Sequence, residues 1–184
     1  MTDTLDITAD GETLAMTVLD ALEMGKNRQD SDDLSGATDI YQQIHMADPN
    51  QVDAVHQLGL ISHRLGEYDL AADLIASALA MAPNFAEAHS NLEVVFFDQG
   101  RLDEAAECYR KAITLNLDYA EPHNNFGALN QRLGDLEQAV DGYRKAIAIN
   151  PDFADAHNNL ATMLLLSGNF GEGWREFSWR WKIS

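Results

Sequence analysis

Apolar and small residues return along this chain with two superposed periods. Within short stretches they recur three and four residues apart, which marks one face of a helix. Across the chain the whole pattern returns every 34 residues. Ala86-Glu87-Ala88-His89-Ser90-Asn91-Leu92 is answered by Ala120-Glu121-Pro122-His123-Asn124-Asn125-Phe126, and a third copy opens at Ala154-Asp155-Ala156-His157-Asn158-Asn159-Leu160. Tyr109-Arg110-Lys111-Ala112-Ile113 matches Tyr143-Arg144-Lys145-Ala146-Ile147 in the same register. A fixed period of this size means a stack of like supersecondary units.

Residues 52–85, 86–119, 120–153 and 154–184 form four consecutive frames, and residues 11–51 fit as a degenerate first copy. Each frame predicts a helix, a turn and a second helix of similar length. The turn falls on Gly66, Gly100, Gly134 and Gly168, where glycine accepts a left-handed helix end, and on Asp32 in the first copy. Second helices stop at Pro49, Pro83 and Pro151, with Leu117 in that place in the third copy. Pro122 follows early enough to sit in the first turn of its helix. Residues 1–10 are polar and acidic, and a disordered start is expected there. Helical patterning is expected from Glu12, on Leu14, Val18, Leu22 and Met24.

Small residues recur at Gly25, Gly59 and Gly127 in first helices and at Ala37, Ala71, Ala105 and Ala139 in second helices. Large ones recur at Leu58, Leu92, Phe126 and Leu160, and at Tyr41, Tyr109, Tyr143 and Phe177. Small residues let paired helices approach to about 8–10 Å while large ones fill the adjoining groove. On these positions the chain resembles the tetratricopeptide repeat family. The resemblance implies an all-α, right-handed superhelical solenoid of antiparallel helix pairs, with the first helices lining a concave face. Glu93 breaks the pattern, standing where the neighbouring copies carry Gly59, Gly127 and Ala161. A buried, unpaired carboxylate is expensive, so the expectation is that the helices splay or that Glu93 reaches solvent. Gly173 likewise replaces the alanine of the last copy.

On the face assigned to the first helices, one repeat position reads Glu23, Gln57, Asn91, Asn125, Asn159. A carboxamide both donates and accepts, so each rung can pair with a peptide backbone in both directions. Rungs about 10 Å apart would each serve about three residues of an extended chain rising about 3.3 Å per residue. Gln57, Asn91, Asn125 and Asn159 are therefore candidate backbone clamps for a protein or extended peptide. His56, His63, Arg64, Phe97 and Arg132 are candidates for selecting among ligands. The alternative use of the amides is cross-linking of neighbouring helices. Similar ladders occur in the repeat domains of O-linked N-acetylglucosamine transferases and their bacterial relatives, which this pattern resembles most. The C-terminal run Gly173-Trp174-Arg175-Glu176-Phe177-Ser178-Trp179-Arg180-Trp181-Lys182 resembles the junction where bacterial repeats lead into a glycosyltransferase-type domain. Trp174, Trp179 and Trp181 are accordingly candidate interface residues, for a fused domain or a second copy. The resemblance thus allows a recognition domain of a larger enzyme, or a self-assembling scaffold, beside a free-standing adaptor.

Composition narrows the chemistry. The formal charge is -18, from 30 acidic and 12 basic residues, which argues against nucleic acid and anionic membranes as partners. Half of that charge lies in residues 1–51, so the N-terminal part is the more acidic per residue. One cysteine, Cys108, rules out an internal disulfide framework and fits a reducing compartment. The polar start lacks the features of a secretion signal, and the expected compartment is cytoplasmic. His89, His123 and His157 share one repeat position, so packing about 10 Å apart keeps them from one zinc ion; no metal or cofactor is expected. No phosphate-cradling loop, nucleophile elbow or zinc-protease helix is present. The expected function is binding, not catalysis.

Overall fold

The computed structural model describes residues 4–179. Its elements are β1 (Thr4–Ala9), β2 (Glu12–Thr17), α1 (Val18–Asp30), α2 (Leu34–Ala47), α3 (Val52–Arg64), α4 (Tyr68–Met81), α5 (Ala86–Asp98), α6 (Leu102–Leu115), α7 (Ala120–Leu133), α8 (Leu136–Ile149), α9 (Ala154–Leu166) and α10 (Phe170–Phe177). The architecture is an all-α helical repeat preceded by a short hairpin. It divides into two compact units, Met1–Asn84 and Phe85–Ser184.

In the first unit, β1 and β2 pair antiparallel from Thr4↔Thr17 to Ala9↔Glu12. This corrects two expectations, disorder through residues 4–10 and a helix starting near Glu12; residues 1–3 lie outside the described residues. The physical reason is local. Asp10 and Gly11 both take positive φ (53° and 82°), and Asp-Gly is a favoured two-residue hairpin turn because its twist matches that of the strands. Ile7, on the inward side of β1, is 1% exposed and joins Ala21, Ala37, Ile40, Tyr41 and Ile44 in one core. Thr17 then caps α1, its hydroxyl accepting from the Asp20 amide while Asp20 reaches back to the Thr17 backbone. Such a box satisfies backbone donors that the first helical turn leaves open.

The helix pairs repeat one turn chemistry. At Gly66, Gly100, Gly134 and Gly168 the backbone enters the left-handed region at φ 76–83°. The following amide returns to the carbonyl five residues back: Glu67 to Ser62, Arg101 to Phe96, Asp135 to Asn130 and Asn169 to Leu164. Asp32 performs the same turn at φ 65°, with Asp33 bonding back to Arg28. Aspartate is among the few non-glycine residues that tolerate this region. Each second helix then packs through an alanine: Ala37, Ala71, Ala105 and Ala139 are all fully buried.

Three of the first helices carry glycine at the close contact, Gly25, Gly59 and Gly127, and α5 carries Glu93. A Cβ placed on Gly25 would lie 2.6 Å from the Tyr41 ring, and on Gly127 2.5 Å from the Tyr143 ring. Each tyrosine therefore lies across the glycine of its own pair, and its hydroxyl reaches a glutamine further along that helix: Tyr143 to Gln131 at 2.9 Å, Tyr41 to Gln29 at 3.5 Å. Gly173 takes up Leu165 in the same way, since a Cβ there would sit 2.9 Å from its side chain.

Candidate functional site

The second unit contains the departure at Glu93. Its side chain is 1% exposed, on α5, with Oε2 lacking any hydrogen-bond partner. The expectation that Glu93 reaches solvent is corrected: it points into the pair. Burial pushes its carboxyl up to about 8, partly offset by the Asn125 amide, which donates to it from α7. Cys108 of α6 lies in the same pocket of the fold. Burial first, then the Glu93 charge, pushes its thiol up to about 12, so it is not a reactive thiolate.

Glu93 stands at the place of the glycine slot, and Tyr109 finds its polar partner on the next pair. Its ring stacks on Phe126 at 4.2 Å, and its hydroxyl meets His123 Nδ1 at 3.2 Å. Burial, and secondarily Glu93, raises the phenol of Tyr109, while burial lowers the imidazole of His123.

The three asparagine rungs Asn91, Asn125 and Asn159 sit at one register of α5, α7 and α9, each half-buried. Asn125 holds Glu93, and Asn159 donates to Asn124 Oδ1 at 3.1 Å. Each of those two amides has further donor and acceptor capacity beyond that bond. Arg132 and Phe97 come together: the guanidinium lies 4.9 Å over the ring and donates to the Phe97 carbonyl at 3.1 Å.

In the first unit, Gln57 is half-buried on α3. His56 is corrected as a ligand-selecting residue, because it is 1% exposed and faces the core, where burial lowers its imidazole. Arg64 is exposed and already employed, donating to the Gln29 carbonyl at 3.4 Å and to Asp32 at 2.7 Å. Arg64 and Arg132 therefore share a job that the sequence did not disclose, closing the C-terminal end of the preceding first helix, where cations are favoured. His63 packs against the Tyr68 ring at 5.5 Å.

At the other end of the second unit, His157 is clasped between Glu176 (Nδ1, 2.5 Å) and the Pro151 carbonyl (Nε2, 2.9 Å). Trp179 stacks on its ring at 4.0 Å. Trp174 is 61% exposed and meets Phe177 edge-on. Trp181 lies outside the described residues. Among the described residues no helix is long and apolar enough to cross a membrane.

Residues 94–134 and 132–168 match the TPR repeat family, and residues 54–87 match the tetratricopeptide repeat, together more than half of the chain. The chain belongs to the tetratricopeptide repeat family. No curated protein matches the sequence. Among solved structures it is similar to MamA (24% identical, TM-score 0.71, covering 86% of this chain and 93% of that one). It is also similar to PilF of Pseudomonas aeruginosa (18% identical, TM-score 0.80, 87% and 73% covered). A third likeness is TTC0263, a thermophilic TPR protein of Thermus thermophilus (20% identical, TM-score 0.76, 87% and 88% covered). At these identities the likenesses establish the fold. Every tetratricopeptide pair buries one side of each helix and leaves the other as a surface, which is what such repeats offer to partners.

Proposed function

We propose that this tetratricopeptide protein is a non-catalytic scaffold that binds an extended peptide segment of a partner protein. The observation that carries the reading is the register of Asn91, Asn125 and Asn159 on three first helices of one unit. Amides repeated at the spacing of packed helices match the repeat of an extended backbone, whereas a side-chain-specific site would need different residues at each rung. The bonds from Asn125 to Glu93 and from Asn159 to Asn124 fix the orientation of two rungs in advance. A ligand then orders fewer side chains on binding, which raises affinity. Phe97, stacked under Arg132, supplies an apolar and cationic neighbour for ligand side chains.

The test is replacement of Asn91, Asn125 and Asn159 together by Ala, followed by capture from the source lysate and mass spectrometry. Loss of the captured partner with helicity intact is expected. An unchanged catch overturns the clamp.

A second reading rests on α10, where Phe170 and Trp174 are each 61% exposed on one terminal helix. Exposed aromatics on a terminal repeat suit an interface with another chain or a fused domain, such as the glycosyltransferase-type domain that follows the kind of junction the C-terminal run resembles. If so, Trp174→Ser converts a sedimenting dimer to monomer. A chain that is monomeric before the change removes the homodimer form of this reading.

A further inference from the structure

The first unit has a groove of its own. Its volume is ≈570 Å³, and it lies along α1 and α3, within the usual range of ligand sites. Leu19, Leu22 and Tyr41 supply its apolar lining, and Glu23, Asp30 and Asp53 its acids. Leu19 is 73% exposed, with no neighbour covering it.

The charges around this groove are unbalanced for a specific reason. The arginines of α1 and α3 are already engaged, Arg28 with Asp10 and Asp33, and Arg64 with Asp32. Among the described residues no ion pair engages Glu23, Asp30 or Asp53. Lys26 is the one basic side chain in the lining. Gln57, at the ladder position of α3, lines the same groove.

We propose that this groove docks a segment of a partner protein in which lysines or arginines bracket a leucine-sized apolar side chain. This names the partner class of the peptide-binding reading above and rests on it. The apolar side chain would cover Leu19 and Leu22, supplying most of the hold. The carboxylates would select cationic flanks and speed encounter, since rim charges act more on specificity and association rate than on affinity. The Gln57 amide would read the intervening backbone in both directions.

The experiment is fluorescence anisotropy of the full chain with dye-labelled peptides centred on Lys-Leu-Lys, Lys-Ser-Lys and Glu-Leu-Glu. The Lys-Leu-Lys peptide is expected to bind about tenfold tighter than either control, and to weaken with added salt. Leu19→Ser, and the combined change Glu23→Gln, Asp30→Asn and Asp53→Asn, should each weaken it about tenfold. These side chains are at the surface, so circular dichroism should stay unchanged. Equal binding of Lys-Ser-Lys, no binding of Lys-Leu-Lys, or indifference to both groove variants overturns the proposal. Self-association abolished by Leu19→Ser would assign the groove to a second copy and overturn it too. The Asn91, Asn125 and Asn159 variant separates the two readings. If it alone abolishes lysate capture while the groove variants change nothing, the ladder stands and this groove falls. If the groove variants weaken Lys-Leu-Lys and the asparagine variant leaves capture intact, the groove stands without the ladder.

Discussion

The α5–α6 pair and the α7–α8 pair share one sequence frame and use it differently. In α7–α8, Gly127 and Gly142 face each other so closely that a Cβ on Gly142 would lie 2.8 Å from the Gly127 amide nitrogen. Tyr143 lies over Gly127 and bonds Gln131, so its polar group is satisfied within the pair. In α5–α6 the same two registers carry Glu93 and Cys108, and the helix position matching Gln131 is Phe97. Tyr109 has neither a slot nor an acceptor at home, and it crosses to His123 and Phe126 on α7. Glu93 crosses as well, through Asn125. Both tyrosines touch the following pair, Tyr143 through Leu160, Met163 and Leu164 of α9. The lesson is that the residue at the close helix contact decides whether the tyrosine hydroxyl finds its partner at home or on the neighbour.

The largest way to break this comparison is to impose the α5 solution on α7. Gly127→Glu without a matching change drives a side chain into the Tyr143 ring and buries a carboxylate there, and it should cost about 4 kcal/mol in urea unfolding. A loss under about 1 kcal/mol would mean that the glycine slot is not the deciding contact.

The next effect is a gain. Burial holds the Glu93 carboxyl near 8 in the folded chain, against an ordinary value of 4.5. A carboxyl raised on folding stabilises fully below its unfolded value and loses that contribution as pH rises through its folded value. The window is thus pH 4.5 to about 8. At neutral pH, Glu93→Gln should raise stability by about 3 kcal/mol, and the difference between variant and parent should shrink towards pH 4.5. A difference that is flat with pH would show that Glu93 does not titrate in this range.

The smallest effects separate the two tyrosines. Tyr143→Phe removes a bond inside one pair and Tyr109→Phe a bond between pairs, each about 1 kcal/mol. Combined with His123→Ala, Tyr109→Phe should be non-additive, whereas Tyr143→Phe should add. Additivity in both cycles would dissolve the distinction.

Much of this was legible in the sequence because a helical repeat states its packing several times. The 34-residue return located the glycine turns, and it placed Asp32 in a left-handed turn without any glycine to signal it. The hairpin has a signal of its own, Asp10-Gly11 between two runs of alternating residues, but Leu14, Val18 and Leu22 satisfy a helical period as well. Glu93 stood out as a conflict, but its resolution depends on Cys108 and Asn125, which come from two other helices. His56 has the register of a first helix, which suits a groove, and only packing turns its ring inward. The jobs of Arg64 and Arg132 at preceding helix ends span 35 residues and carry no local signal.

The most direct measurement is NMR of the side-chain amides on titration with a captured peptide. Movement of the Asn91, Asn125 and Asn159 NH2 signals, with those of the turn residues Asn116 and Asn150 unmoved, is the predicted result. Saturable binding that leaves all three rung signals in place would contradict the account.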